Sequence, residues 1–178
     1  MHPHGQQCPF FDQLLDRLVE ITISFLRAQI NHGARAVQLF DSWAGTLSPA
    51  DYTTYVLPHS QQVLSALEGR GVPRIHFGVG TGAILRELRE AGGDVIGADW
   101  RTPLDEAWQR IGPDRAIQGN LDPTLLLGPL DRVFAATDEI LARADGRPGS
   151  RRSPRAAQRD DRGDEQPACG PRRRTPLI

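Results

Sequence analysis

Apolar residues between positions 10 and 145 follow two alternating patterns, one with the period of a helix and one of short continuous runs. The first pattern begins after Phe10, with apolar side chains three or four residues apart, which is typical of an amphipathic helix. Its apolar positions are Leu14, Leu18, Ile21 and Phe25, flanked by Leu15, Val19 and Leu26. Turn-forming residues at 31–33 stop the pattern, so we predict one long helix in this segment.

Four short, mostly apolar runs follow, each with the length and composition of a strand buried on both faces. These runs are 36–40, 74–79, 94–99 and 116–120. After three of them a potential capping residue precedes proline, which indicates a helix start. These pairs are Ser48-Pro49, Thr102-Pro103 and Asp122-Pro123. Two further helices are indicated by Ile84, Leu85 and Leu88, ended by Gly92-Gly93, and by Val133, Phe134, Ile140 and Leu141.

The resulting order, a helix followed by βαβαβαβα, predicts an α/β fold with parallel strands. Such a series forms either an open doubly wound sheet or part of a (β/α)8 barrel. In both architectures functional groups lie just beyond the carboxyl ends of the strands. The candidates selected by this rule are Asp41, Ser42, Trp43, Phe77, Gly78, Val79, Asp99, Trp100, Arg101, Gly119, Asn120 and Asp122.

A glycine cluster at 78–82 follows the second predicted strand and opens a helix, and Asp99 ends the next strand. This arrangement resembles the first motif of S-adenosylmethionine-dependent methyltransferases, whose acid at the second strand binds the cofactor ribose. Those enzymes carry an acid two residues before the first glycine, where this chain has His76. The alternative interpretation is a tight loop over the mouth of a barrel.

Other kinds of site receive less support from the sequence. Ser42 has no histidine linked to it by a motif, so we do not predict a hydrolase triad. Asp99 and Asp122 end different strands and are candidates for one pocket, although capping of a loop explains Asp122 equally well. Five histidines form no metal-binding motif, so we expect each to have hydrogen-bond partners or to face solvent. They are His2, His4, His32, His59 and His76.

Four blocks of sequence together resemble the carboxyl-terminal half of bacterial uroporphyrinogen decarboxylases. They are VQLFDSWAGTLSPADYTTYVLP (37–58), VPRIHFGVGTG (72–82), GGDVIGADWRTPLDEA (92–107) and QGNLDP (118–123), and the resemblance extends over about 11–149. It implies a cofactor-free lyase of haem and porphyrin biosynthesis, folded as a (β/α)8 barrel and working as a homodimer. Such enzymes remove the four acetate carboxyl groups of uroporphyrinogen III to give coproporphyrinogen III.

The resemblance also assigns one site residue. Ser42, within DSWAG, matches the family serine that contacts a substrate carboxylate. The family's paired substrate-binding arginines, its central aspartate and its tyrosine lie in segments with no counterpart here. Asp41 and Asp99 belong to their own blocks, so neither takes the place of that aspartate and no catalytic residue is assigned.

Charge divides the chain into two unlike parts. Residues 1–145 carry 12 Arg against 18 Asp and Glu, whereas residues 146–178 carry 9 Arg against 4 acids and few aliphatic side chains. Such a tail buries too little apolar surface to fold. We therefore expect a flexible terminus at 1–8, a partial barrel of about four βα units at 9–146, and a disordered tail at 147–178. The abrupt change near Ser150 is also what a frameshift in a gene rich in G and C would produce.

Composition excludes several classes of protein. No stretch is long and apolar enough for a membrane span and no secretory signal is present, so we expect a cytoplasmic protein. Cys8 and Cys169 are far apart and are expected to be reduced. Four strands are half of a barrel that takes about 250 residues, so we expect the chain alone to be an inactive fragment. A non-catalytic fragment whose tail binds polyanions is the remaining alternative; nucleic acid is not the expected partner, because the tail lacks aromatic residues for stacking.

Overall fold

The computed structural model describes residues 9–144, and within them the sheet contains four parallel strands in chain order. The strands are β1 (Val37–Phe40), β2 (Arg74–Phe77), β3 (Val95–Gly97) and β4 (Ala116–Gln118). Each strand pairs in parallel with the next, with Phe40 opposite Phe77 and Phe77 opposite Gly97. A doubly wound sheet reverses its strand order at the binding crevice, whereas a barrel wall continues in sequence. The described sheet shows no reversal, as the barrel interpretation predicts.

Helices alternate with the strands and form one layer. They are α1 (Pro9–Asn31), α2 (Pro49–Asp51), α3 (Leu57–Ser65), α4 (Leu85–Ala91), α5 (Leu104–Ile111) and α6 (Leu130–Ala144). A π-helical turn, Tyr52–Val56, joins α2 to α3, and 3-10 turns occur at Ala44–Thr46, Thr81–Ile84 and Pro123–Leu127. The contacts α1 with α3, α3 with α4, α4 with α5 and α5 with α6 follow chain order. This arrangement is the outer helical layer of a partial (β/α)8 barrel.

Two apolar clusters fill the space between sheet and helices. The first is formed by Ala44, Tyr52, Ile84, Leu85, Leu88, Ile96, Ala98, Ala107 and Ile111. The second is formed by Val19, Leu26, Val37, Val63 and Leu67. Because strand side chains alternate between faces, Val37, Leu39 and Ile96 face the helices, and Phe40 and Phe77 project from the opposite face. Within residues 9–144, no second layer covers that opposite face.

The structure corrects two details of the sequence interpretation of the strands and of the first helix. The strands are not buried on both faces, since Phe40 is 63% exposed. In α1 the helical side facing the sheet carries Val19 and Leu26, while the four apolar positions that first indicated the helix are 45–64% exposed. They are Leu14, Leu18, Ile21 and Phe25.

Two of the three predicted caps form. Ser48 accepts a hydrogen bond from the Asp51 amide, and Asp122 caps the turn Pro123–Leu127 rather than the last helix. Thr102 does not cap α5, because Pro103 occupies the cap position. The predictions for 1–8 and 147–178, including those for His2, His4 and both cysteines, lie outside the described residues.

Candidate functional site

An open groove of about 370 Å³ lies at the carboxyl end of β1. Phe40, Ser42 and Trp43 line it, with Asp41 and the segment that leads into the next helices. Ser42 is exposed and Trp43 is 83% exposed. The structure thus places the Ser42 hydroxyl at an accessible sheet edge, where parallel α/β proteins bind ligands.

Aromatic side chains extend the groove across the uncovered face of the sheet. The rings of Phe40 and Phe77 meet edge to face with centroids 5.8 Å apart. Phe77 also lies over Gly97, where an added Cβ would stand 2.6 Å from the Phe77 ring. The absence of a side chain at Gly97 therefore leaves room for the Phe77 ring over β3. Together these residues give the inner face an apolar surface next to Ser42.

Asp41 is the centre of a buried polar cluster directly behind the groove. Its Oδ2 atom accepts hydrogen bonds from the Tyr52 hydroxyl at 3.1 Å and the Ser60 hydroxyl at 3.0 Å. His76 Nε2 lies 2.9 Å from the same oxygen, and His76 Nδ1 lies 3.1 Å from the Leu88 carbonyl oxygen. The cluster joins the end of β1 to the π-helical turn, α3, β2 and α4. It therefore fixes the backbone from which Ser42 and Trp43 project.

The protonation of this cluster follows from its partners. His76 lies between two acceptors, the Asp41 carboxylate at Nε2 and the Leu88 carbonyl oxygen at Nδ1. Burial is the largest influence on the Asp41 carboxyl and acts to raise its pKa. The hydrogen bond and attraction of His76, with the hydroxyls of Ser60 and Tyr52, outweigh it and hold that pKa below 3.8. Burial and the negative charge of Asp41 raise the pKa of Tyr52 well above its usual 10.0. Asp41 is therefore anionic and Tyr52 neutral near pH 7.

The glycine cluster is a tight loop whose shape is set by contacts between backbones. A Cβ on Gly45 would lie 2.4 Å from the Val79 carbonyl oxygen, so the loops after β1 and β2 touch directly. Gly80 has a φ of 74°, a left-handed conformation that side chains rarely adopt. The glycines are thus explained by packing at the barrel mouth.

Asp99 organises the same edge rather than presenting a free carboxylate. Its Oδ2 accepts from the Gly80 amide and from the Arg101 guanidinium, 2.8 Å away, and its Oδ1 accepts from the Arg101 amide. The Arg101 guanidinium lies 4.1 Å from the centre of the Trp100 ring and its side chain is 53% exposed. Asn120 donates to the carbonyl oxygens of Asp99 and Thr102, which ties the end of β4 to that of β3. Arg101 is consequently a positive group at the same end of the sheet as Ser42.

The predicted candidates separate into two groups. Ser42 and Trp43 line the groove, whereas Asp41, Asp99 and Asn120 brace the loops. Asp122 accepts hydrogen bonds from the Thr124 amide and hydroxyl, so it caps a turn and does not form a pocket with Asp99.

Sequence analysis missed the polar partners of Asp41. Tyr52 and Ser60 lie 11 and 19 residues beyond Asp41, a separation that no motif reports. The sequence predicts that His76 is either hydrogen-bonded or exposed to solvent; it is fully buried, with a partner at each ring nitrogen. A histidine in a buried strand was the one available signal, because a buried imidazole needs partners.

Two kinds of feature are absent from residues 9–144. None of the helices in this region is long and apolar enough to cross a membrane. The same region contains no group of three or more His, Cys, Asp and Glu side chains arranged to hold a metal ion.

Comparison with known proteins identifies relatives of this chain. Residues 7–150 match the family model described as Uroporphyrinogen decarboxylase (URO-D). The uroporphyrinogen decarboxylase of Salinispora tropica is 58% identical over 136 residues, covering 76% of this chain and 37% of that protein. The one from Streptomyces coelicolor is 60% identical over 153 residues (83% and 43%), and the one from Carboxydothermus hydrogenoformans is 53% identical over 137 residues (77% and 39%). The chain thus spans about two fifths of the length of the curated relatives it matches.

Proposed function

This chain belongs to the uroporphyrinogen decarboxylase family, and from that premise we propose that it forms one wall of a cleft that binds uroporphyrinogen III for decarboxylation to coproporphyrinogen III. The family match confirms the resemblance given by the four sequence blocks and replaces the methyltransferase alternative. The observation that carries the proposal is the position of Ser42, exposed on the groove beside a row of aromatic rings.

The chemistry of the substrate determines which groups the protein must place around the cleft. Protonation of a pyrrole carbon gives a cationic ring, which accepts the electron pair released as carbon dioxide leaves the acetate arm. A proton then replaces the lost carboxyl group, and the ring carbon gives up the proton it had accepted, which restores the pyrrole. One proton is therefore consumed for each carbon dioxide released, and no external oxidant or cofactor is needed. The protein contributes by fixing the macrocycle, balancing its many negative charges and excluding water.

Residues of the groove supply part of what the substrate requires. The Ser42 hydroxyl donates to a substrate carboxylate, and Phe40 and Phe77 exclude water from the macrocycle. Arg101 offers positive charge at the same edge of the sheet. Asp41 and Asp99 are engaged by protein donors, so neither is assigned the proton transfer.

Binding and turnover are expected to differ in the 178-residue polypeptide. We expect the polypeptide to bind the tetrapyrrole but not to decarboxylate it at the rate of its longer relatives, because the described wall supplies no free carboxylate for the reacting ring. Chromatography of the oxidised porphyrins would measure the number of carboxyl groups lost. Turnover near that of a relative would contradict this part.

Binding is testable through the indole of Trp43, which lines the groove. Anaerobic titration with uroporphyrinogen III should quench the fluorescence of the native chain, and Trp43→Phe identifies the part of the signal that comes from this residue. Ser42→Ala removes a hydrogen bond to a charged group, worth about 1.5–3 kcal/mol, so the Kd should rise about tenfold or more.

The matched control is Ser24→Ala, at an exposed serine in α1. It should bind like the native chain, and all variants should unfold at the same urea concentration. Equal affinity of Ser42→Ala and Ser24→Ala would remove Ser42 from the binding site. Absence of any quenching at saturating ligand would contradict the binding proposal as a whole.

Two further parts of the family assignment remain proposals. We propose a cytoplasmic location, and cell fractionation tests it. The resemblance also implies a homodimer of complete barrels, which sedimentation of a longer relative would reveal.

A further inference from the structure

The backbone on both sides of Ser42 is fixed by hydrogen bonds. The Asp41 amide donates to the Phe77 carbonyl oxygen at 2.7 Å. The Trp43 carbonyl oxygen accepts from the Thr46 amide at 3.1 Å and from the Thr46 hydroxyl at 2.8 Å. Ser42 itself is exposed, so few contacts of its own set its direction. The direction of its hydroxyl therefore depends on how rigidly Asp41 and Trp43 are held.

The Asp41 side chain adds a constraint that the backbone bonds do not supply. Its Oδ2 atom is the acceptor shared by Tyr52, Ser60 and His76, which belong to the π-helical turn, α3 and β2. Tyr52 and His76 are fully buried and Ser60 is 6% exposed, so solvent has little access to these bonds. Hydrogen bonds are stronger in such a low dielectric than in water. They restrain the Asp41 carboxylate one residue before Ser42.

The π-helical turn explains how two of these donors reach one atom. It is closed by a hydrogen bond from the Leu57 amide to the Tyr52 carbonyl oxygen, five residues back. Ser60 lies eight residues after Tyr52, and in a regular α-helix that spacing leaves two side chains roughly 80° apart around the axis. A π turn takes more residues than an α turn, so it rotates Ser60 back toward the side of Tyr52. The turn thus brings both hydroxyls to the Asp41 carboxylate.

We propose that the three donors to Asp41 are positioning residues for substrate binding, which orient the Ser42 hydroxyl toward a substrate carboxylate. They are Tyr52, Ser60 and His76, and none of them needs to touch the substrate. The inference rests on the proposed function and deepens it. A hydrogen bond weakens as its donor turns away from the acceptor, so a loosened segment lowers affinity although every group that contacts the ligand is still present. A segment ordered in advance also avoids the cost of ordering it on binding.

Tyr52→Phe tests the proposal with the smallest change, because it removes one oxygen atom and keeps the buried ring. The matched control is Tyr55→Phe in the same turn, where the side chain is 38% exposed and lies outside the Asp41 cluster. In the fluorescence titration with uroporphyrinogen III, Tyr52→Phe should raise the Kd about threefold or more. Tyr55→Phe should leave the Kd unchanged. An unchanged Kd in Tyr52→Phe would overturn the proposal.

A double-mutant cycle distinguishes positioning from a general loss of stability. In the Ser42→Ala chain the hydroxyl to be oriented is absent, so adding Tyr52→Phe should not raise the Kd further. A general loosening of the fold would instead weaken binding by the same factor in both backgrounds. That additive result would also overturn the proposal.

A fluorine signal measured without substrate separates this inference from the proposed function. The chain has three tryptophans, and 5-fluorotryptophan gives each its own resonance, with that of Trp43 assigned by Trp43→Phe. Tyr52→Phe should shift or broaden the Trp43 resonance, because the segment loses a restraint. The resonance of Trp108, buried in α5, should stay in place and report an intact fold. Tyr55→Phe should move neither, and an unmoved Trp43 resonance in Tyr52→Phe would contradict the positioning role.

Failure of the proposed function would look different. Ser42→Ala would then bind uroporphyrinogen III as tightly as Ser24→Ala, or no quenching would occur at all. The Trp43 resonance would still decide whether Tyr52 restrains the segment, since that measurement requires no ligand.

Discussion

Replacing Asp41 by alanine removes the acceptor on which three buried donors converge. Tyr52 and Ser60 lose their hydroxyl acceptor, and the fully buried His76 loses its anionic partner. Removing one partner of a buried pair typically costs about 3–5 kcal/mol, because the other group remains desolvated. A domain of this size is stable by about 5–15 kcal/mol, so Asp41→Ala should remove a large share of the free energy of unfolding.

Urea unfolding followed by far-UV circular dichroism measures this loss. Asp131, an exposed aspartate in the first turn of α6, provides the control, and Asp131→Ala should cost at most about 1 kcal/mol. Asp41→Asn should fall between the two, since its amide oxygen can still accept from the donors that meet at Oδ2 but carries no negative charge. If Asp41→Ala unfolds like Asp131→Ala, the cluster does not stabilise the fold and the reasoning is refuted.

The pH dependence of this loss has a definite sign. The folded pKa of Asp41 lies below 3.8, so between the folded and unfolded values the unfolded state binds more protons and stability rises with pH. The contribution of Asp41 is thus complete above pH 3.8 and disappears as the pH falls through the folded value. The stability gap between native chain and Asp41→Ala should therefore narrow below about pH 4. A gap that stays constant into that range would show that the Asp41 charge is not the stabilising element.

Two more predictions concern the supports around the site. Gly45→Ala should destabilise the chain by about 1–3 kcal/mol, because its Cβ would meet backbone atoms of Val79 that cannot move aside. The control Gly128→Ala, whose Cβ would have its nearest atom at 3.3 Å, should cost less. Equal urea midpoints of the two variants would argue against the close approach of the two loops. Arg74→Lys should lower the free energy of unfolding by about 1–2 kcal/mol, because lysine cannot make the bidentate contact that Arg74 makes with Asp94 at 3.0 and 2.9 Å. An unchanged urea midpoint would show that the positive charge alone suffices.

Local patterns were sufficient to predict the secondary structure of the described region. The four strands and the long first helix are confirmed, because apolar periodicity and turn residues act over a few positions. The strands were predicted one to three residues too long; β2, for example, ends at Phe77 and β3 at Gly97. The family was likewise predictable, because its four blocks are contiguous in sequence.

The polar cluster required the tertiary structure. Asp41, Ser60 and His76 lie on three different elements, and only the packing of α3 and β2 brings them to one oxygen atom. The sequence alone predicted that Asp41 and Ser42 both follow a strand, but it did not predict that one turns inward as a brace and the other outward to the groove.

The same distinction applies to the apolar residues of α1. Their periodicity determined that a helix forms, since helix formation depends on residues three and four apart. Which side of that helix is buried depends on where α3 and β1 lie, and those positions are set by contacts between residues far apart in the chain. The sequence thus determined the elements, their order and the family, while the tertiary structure decided which side chains brace the fold, which line the groove and which remain exposed.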